Sequence, residues 1–196
     1  MMVIWNAPKD VENHEFCAME CALEMMKRLK TIRESDFEKF GKVYIRIGIY
    51  TAESLIGNVG APDRINYTAL GDGVNLASRL EGINKRFHTR IIIGDTTYDA
   101  IKMYFKCKWL DYLAVKGKEL PVDVYELVCR MEDTSPLIDQ ACDSHKQMRN
   151  ALKLGDFDTV KTICEETLKH SHDHAAELLL ERMNEDPQIV CRVYEK

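Results

Sequence analysis

The side chains best suited to chemistry in this sequence lie in one stretch, NYTALGDGVNLASRLEG, residues 66–82. A strand-like run ending at Leu70 meets a Gly-Asp-Gly turn at 71–73, and a helical pattern follows. On that helix Asn75 and Arg79 are four residues apart, so both project from the same face. A helix start offers unpaired N–H groups and the positive end of a dipole, and arginine adds a charged fork that matches phosphate oxygens. The pattern is therefore that of a phosphate site.

A simpler interpretation of this stretch stays open on the residues alone. A Gly-x-Gly turn before a helix is a weak signal, and polar residues four apart often form only a solvated helix face. The dinucleotide fingerprint G-x-G-x-x-G is also incomplete, because Leu76 stands where its third glycine belongs. A Rossmann fold is therefore not predicted.

Composition restricts the class of protein. The 196 residues are 45% hydrophobic and 30% charged, which suits one domain of ordinary size with an appendage. A net charge of −5 gives no basic surface for nucleic acid or for an anionic membrane, and no apolar run is long enough to cross a bilayer. The seven cysteines contain no C-x-x-C pair, so we expect free thiols and a cytoplasmic location.

The elements that position the site helix follow from hydrophobic periodicity. Before it, we predict a buried strand at 1–5, a helix capped by Asn13 with an apolar stripe, a strand at 43–52 and its hairpin partner at 54–60.

After the site helix, the pattern predicts a strand in TRIIIGD (89–95) and a short helix that Thr96 caps. A closing strand pair follows, with KWLDYLAVKGK (108–118) and VDVYELV (122–128) as its two strands.

The composition changes near residue 130, where a polar segment containing a proline predicts a linker at 129–136. Beyond it, helices are predicted at about 136–154, 157–170 and 174–184, with Gly155 ending the first and Asp156 capping the second. We therefore divide the chain into a domain at 1–128, this linker, and a helical tail at 137–196 that resembles a tetratricopeptide unit.

The tail also contains the sequence HSHDH, in which three histidines alternate with other residues. His170, His172 and His174 could bind a metal, although no cysteine or carboxylate pattern completes a site. A single tetratricopeptide-like unit is too small to stand alone, so we expect the tail to pack on the preceding domain or on a partner.

Several motifs in a fixed order carry a resemblance to a known family. The segment RIGIYTAESLIGNVGAPDRINYTALGDGVNLASRLEGINK (46–85), followed by VKGKELPVDVYELV (115–128), closely resembles the bacterial-type class III adenylate/guanylate cyclase catalytic domain. This resemblance implies an α+β fold, a ferredoxin-like βαβ sandwich. It also implies a head-to-tail dimer, either of two copies or with another cyclase, that forms two composite sites at its interface.

The resemblance implies a catalytic role for three residues. Asn75 would orient the ribose, and Arg79 would neutralise charge on the phosphates as the 3′-hydroxyl attacks the α-phosphorus and pyrophosphate leaves. Lys116 would bind the terminal phosphates. The implied activity is cyclic-nucleotide synthesis in intracellular signalling.

The resemblance also implies how the nucleotide is bound. Arg46 matches a strand arginine that reaches the triphosphate. Thr68 stands where the family reads the purine edge, and Ala69 and Leu70 would line the base through their backbones. With threonine at that position, this chain is similar to bacterial-type adenylate cyclases. We therefore expect ATP rather than GTP as the substrate.

The metal ligands that the resemblance implies are not among the residues of this chain. The family holds two Mg²⁺ or Mn²⁺ ions with two aspartates, one on its first strand and one just before the strand that begins here at Met1. Asp72 belongs to the opposite half-site, and Ala52 replaces a glycine usual in the family. We therefore expect an N-terminally truncated cyclase domain that is inactive alone. The alternative is an inactive cyclase-like module for regulation or dimerisation.

Overall fold

A computed structural model describes residues 1–35, 43–61, 64–114, 121–185 and 192–193. Within these ranges the chain forms a mixed α+β structure, as the sequence predicts. In chain order the elements are α1 (His14–Ser35), β1 (Ile47–Ile49), β2 (Leu55–Ala61), β3 (Arg64–Leu70), α2 (Asp72–Phe87), β4 (Ile91–Gly94), α3 (Asp95–Ile101), β5 (Phe105–Ala114), β6 (Val122–Arg130), α4 (Pro136–Leu154), α5 (Phe157–His170), α6 (His174–Glu185) and β7 (Arg192–Val193).

The strands form a five-stranded sheet and a separate hairpin. The order in the main sheet is β1-β4-β6-β5-β7. β1 pairs with β4 in parallel, whereas β6 is antiparallel to both β4 and β5. The predicted closing strand pair is thus confirmed as β5 and β6. Among the described strands, β2 and β3 pair only with each other, antiparallel.

The predicted hairpin between 43–52 and 54–60 is wrong. The regular strand in the first segment is only Ile47–Ile49, and the second segment pairs with β3 instead. The chain leaves the sheet after β1 because Thr51 is bound to α3. Its amide donates to the Thr97 hydroxyl at 2.8 Å, and its carbonyl accepts from the Thr96 hydroxyl at 2.7 Å.

Two further local predictions need correction. Thr96 does not cap α3, since the helix begins at Asp95 after Gly94 and the Thr96 side chain binds Thr51 instead. Residues 1–5 are not a strand, and Met1 and Val3 are exposed. Apolar residues favour burial, but a strand also needs a neighbour with free backbone groups, and no described strand pairs with this segment.

The main sheet is covered on both faces. Ile91 and Ile93 pack in one buried cluster with α1 and Trp109, whereas Ile92 packs in a second cluster with α2. Alternation along β4 places the two clusters on opposite faces of the sheet. The apolar stripe predicted for α1 contributes to the first cluster through a fully buried Met19.

The three C-terminal helices are confirmed close to their predicted bounds. Gly155 ends α4 in the left-handed conformation at φ 73°, and the Asp156 side chain caps α5 by accepting from the Thr159 amide at 3.1 Å. The helices share a core with the sheet, because Met148 and Leu179 are buried in the same cluster as Ile91 and Ile93 of β4. No helix in the described part of the chain is long and apolar enough to span a membrane.

Candidate active site

Helix α2 starts at a glycine turn that places it directly after β3. Gly71 precedes the helix with φ 148°, a value that strains any residue with a side chain. Its carbonyl accepts from the amides of Val74 and Asn75, at 3.2 and 3.4 Å, which closes the first turn. The end of β3 and the start of α2 therefore form one continuous corner.

The structure brings most of the expected site residues to this corner. Thr68 is half-buried, Ala69 is buried and Leu70 is exposed at the end of β3. Asn75 is exposed and Arg79 is half-buried, one turn apart on α2. The segment expected to line a base thus runs straight into the helix that carries the amide and the guanidinium.

Of the two remaining cations of the expected site, Arg46 is described and lies apart from this corner. Arg46 precedes β1, and its Nε lies 3.1 Å from Oε1 of Glu81, further along α2. Lys116 lies outside the described residues.

A close contact between α2 and β1, which sequence reasoning missed, fixes the position of the site helix. A Cβ added at Gly48 would overlap the Ala77 carbonyl oxygen and the Glu81 amide nitrogen of α2. At Gly73, an added Cβ would lie 2.6 Å from the Ala52 side chain. The alanine that departs from the family pattern therefore packs directly on the first turn of α2.

Asn84 is a second missed residue that joins α2 to the sheet. It is fully buried, and its amide nitrogen donates to the carbonyl of Ile47 in β1 at 3.0 Å. Its side-chain oxygen accepts from the Thr89 hydroxyl at 3.0 Å. A buried asparagine with these partners sets both the rotation and the height of α2 above β1. In the sequence its only signal is a polar residue at the helical spacing of Leu76 and Leu80.

The residues described do not fit a two-metal site. Among them, no group of three or more His, Cys, Asp or Glu side chains is arranged to hold a metal ion. In the histidine-rich segment, Nδ1 of His174 lies 2.7 Å from Glu177 and its ring stacks on His88. The six cysteines within the described ranges are free, and burial raises the pKa of Cys142 to about 11.

Residues 1–129 match the family model of the adenylate and guanylate cyclase catalytic domain. The chain belongs to this family. The corner between β3 and α2 therefore lies within the matched cyclase domain, while α4, α5 and α6 follow it.

Named relatives of this cyclase domain include adenylate cyclases of bacteria and of a social amoeba. Adenylate cyclase 1 of Rhizobium meliloti (strain 1021) is 36% identical over 132 residues, which cover 65% of this chain and 19% of that protein. The terminal-differentiation specific adenylate cyclase of Dictyostelium discoideum is 38% identical over 122 residues, covering 61% and 6%. This chain spans less than a fifth of the length of either relative, so the similarity concerns the catalytic domain.

Solved cyclase structures share the fold. The adenylyl cyclase CyaB from P. aeruginosa gives a TM-score of 0.57 at 32% identity, covering 67% of this chain and 68% of that chain. The guanylate cyclase domain of RhGC from Catenaria anguillulae, solved in complex with GTP, gives 0.53 at 29% identity, covering 64% and 65%. The α+β cyclase fold predicted from the motifs is therefore confirmed.

Proposed function

We propose that this chain supplies the ribose- and phosphate-stabilising half of a nucleotide cyclase site, which converts ATP to cyclic AMP and pyrophosphate. One observation carries the proposal: Thr68, Ala69 and Leu70 lead directly into the helix that presents Asn75 and Arg79 on one face. A nucleotide whose base contacts the end of β3 would have its ribose and phosphates beside α2.

The two helical side chains have separate tasks in this proposal. The Asn75 amide hydrogen-bonds the ribose and so orients the 3′-hydroxyl toward the α-phosphorus. The Arg79 guanidinium donates hydrogen bonds to phosphate oxygens and stabilises the charge that develops as pyrophosphate leaves. Because the α2–β1 contact at Gly48 fixes the helix, the two groups are positioned before the substrate arrives.

The nucleotide-binding roles complete the proposed half-site. The Thr68 side chain contacts the purine edge, and the likeness of this position to bacterial-type adenylate cyclases favours ATP, with GTP as the second candidate. Lys116 binds the terminal phosphates. Arg46, which the structure pairs with Glu81, serves the triphosphate of the opposite composite site in the dimer.

A second cyclase domain is the proposed partner, and in the proposed dimer it supplies the carboxylates for Mg²⁺ or Mn²⁺. The hairpin β2–β3 supports a partner, because it carries exposed apolar side chains, with Leu55 73% and Ile65 60% exposed. A head-to-tail cyclase would cover this hairpin. The cytoplasmic location expected from the cysteines stays a prediction.

The test is complementation in a mixture. We expect no cyclic AMP from this chain alone with ATP and Mn²⁺, but turnover that rises with its concentration when it is added to a cyclase whose own Asn and Arg positions are mutated. The matched control is the Arg79→Ala variant, which should bind the mutant cyclase but restore about 10²-fold less turnover. A mixture that stays silent at every ratio, with both proteins soluble and associated, contradicts the proposal.

A second candidate function is an inactive module for regulation or dimerisation. It is favoured by the lack of a metal-holding group among the described residues. Association with an intact cyclase that changes its activity, combined with failure to complement the mutant, would select this function over the first.

A further inference from the structure

Helix α6 of the tail reaches the core beneath the site helix. Ala175 and Leu178 of α6 are buried in the same cluster as Leu76, Leu80 and Phe87 of α2. Leu76 and Leu80 each directly follow one of the residues proposed for the site, Asn75 and Arg79. The tail helix therefore contributes to the surface on which α2 rests.

A ring contact joins the same two helices at their ends. The imidazoles of His88 and His174 stack with centroids 4.0 Å apart and planes 5° from parallel. His88 ends α2 in the left-handed conformation, with φ 54° and its amide bound to the Asn84 carbonyl. The backbone of His88 is thus tied to the residue that also holds α2 on β1.

The other ring is fixed to the sheet through Asp173. One carboxylate oxygen of Asp173 accepts from the amides of Ala175 and Ala176, at 3.1 and 3.2 Å, and so caps α6. The other oxygen lies 3.0 Å from Lys108 Nζ in β5 and 3.0 Å from His145 Nε2 in α4. The start of α6, including His174, is therefore held by both the sheet and the helical tail.

We propose that α6 positions the site helix, and that His174 acts as a positioning residue whose ring supports the end of α2 through His88. The helical tail then contributes to the half-site, because a displacement of the tail would move α2 and with it Asn75 and Arg79. The effect on turnover rests on the proposed function, whereas the mechanical coupling does not.

Two substitutions separate the ring contact from the hydrogen bond at the same position. His174→Gln keeps a donor for Glu177 but removes the stacked ring, whereas His174→Phe keeps a ring and loses the donor. We expect His174→Gln to raise amide hydrogen exchange at 84–89 by about three- to tenfold, as the loss of an aromatic pair predicts, and His174→Phe to change it less than about twofold.

Amides of α1 provide the internal reference, because that helix packs in the other core cluster. Unchanged exchange at 84–89 in His174→Gln, or an equal rise in His174→Phe, would overturn the coupling. A rise of the same size in α1 would show global destabilisation and would overturn it as well.

The same variants in the complementation mixture test the functional step. We expect lower maximal turnover with His174→Gln and wild-type turnover with His174→Phe. Equal turnover for both variants, in a mixture that is active with the wild-type chain, would refute a positioning role. A silent wild-type mixture counts against the proposed function, and the exchange data still decide the coupling.

Discussion

Arg79 is the residue on which the proposed chemistry depends most. In the complementation mixture, Arg79→Ala should lower maximal turnover by about 10²-fold, because a charge-stabilising donor acts mainly in the transition state. KM for ATP should change much less for the same reason. Steady-state rates against ATP concentration provide the measurement.

The control for this prediction lies on the same helix. Lys85 is an exposed cation in the last turn of α2, and Lys85→Ala should leave turnover unchanged. Normal turnover in Arg79→Ala, or an equal loss in both variants, would remove the specific role of Arg79.

At the scale of single residues, the sequence predicts which polar side chains share a helix face better than it predicts which polar side chains are buried. The placement of Asn75 and Arg79 on one helix face could be predicted from their spacing, whereas their proposed roles rest on motifs that resemble a family. Asn84 could not be found, because a single asparagine in an amphipathic helix has the same pattern whether it is solvated or buried. Only the tertiary hydrogen bond to the Ile47 carbonyl shows that the Asn84 side-chain amide joins α2 to β1 in the protein interior.

At the scale of elements, the position of α2 is restricted by its close packing on β1. Gly48→Ala should strongly lower the free energy of unfolding, because the added methyl group would meet the backbone of α2 rather than a movable side chain. Chemical denaturation of the wild-type protein and of Gly48→Ala measures the loss in free energy of unfolding.

The matched control is Gly82→Ala on the exposed side of α2, where an added Cβ meets nothing within 4 Å. This substitution should raise the free energy of unfolding by about 0.5–1 kcal/mol, because alanine favours a helix interior. A Gly48→Ala protein as stable as Gly82→Ala would show that the two elements are not in close contact.

The sequence predicts where a helix begins or ends when the signal is local. It does not predict which strands pair with each other. Gly155 and Asp156 mark a helix end and a helix start through their own backbone and side-chain preferences. The segment at 54–60 has a strand pattern that carries no information on its partner. Its pairing with β3 depends on tertiary contacts, among them the hydrogen bond that draws Thr51 away to α3.

At the scale of the whole molecule, buried charges join the tail to the cyclase domain. Arg182 of α6 is 2% exposed, and its guanidinium lies 2.8 Å from Asp111 of β5. Arg182→Met should lower the free energy of unfolding by about 3–5 kcal/mol, because it leaves a buried carboxylate without its cation. The double variant Asp111→Leu with Arg182→Met should recover most of that loss, since neither charge of this pair then stays buried.

The surface pair of Arg28 and Glu24 provides the control, with the Arg28 side chain 77% exposed. Arg28→Met should have little effect on chemical denaturation, because exposed ion pairs contribute little. If Arg182→Met is equally harmless, the tail does not depend on this ion pair for its attachment.

The attachment of the tail should also depend on pH. Burial alone would raise the pKa of Asp173, but the hydrogen bond and charge of His145 and the charge of Lys108 lower it below its ordinary range. A carboxyl whose pKa is lowered on folding stabilises the protein above its unfolded pKa of about 3.9, and this stabilisation is lost as the pH falls through the lower folded value.

Asp173→Asn isolates this charge, because asparagine can still cap α6. The wild type should exceed the variant in free energy of unfolding at pH 7, and the difference should shrink below about pH 4 as the unfolded carboxyl takes up its proton. Urea denaturation across pH measures this difference, and a gap that stays constant to pH 3 would contradict the role of the Asp173 charge.

The division of labour between two cyclase domains is tested most directly by crossed complementation. The chain is mixed with two versions of one partner cyclase, the first mutated at its Asn and Arg positions and the second at its metal aspartates. Because this chain carries Asn75 and Arg79 but no described metal-holding group, the first mixture should produce cyclic AMP and the second should not. Activity in the second mixture alone, or equal activity in both, would contradict the half-site assignment.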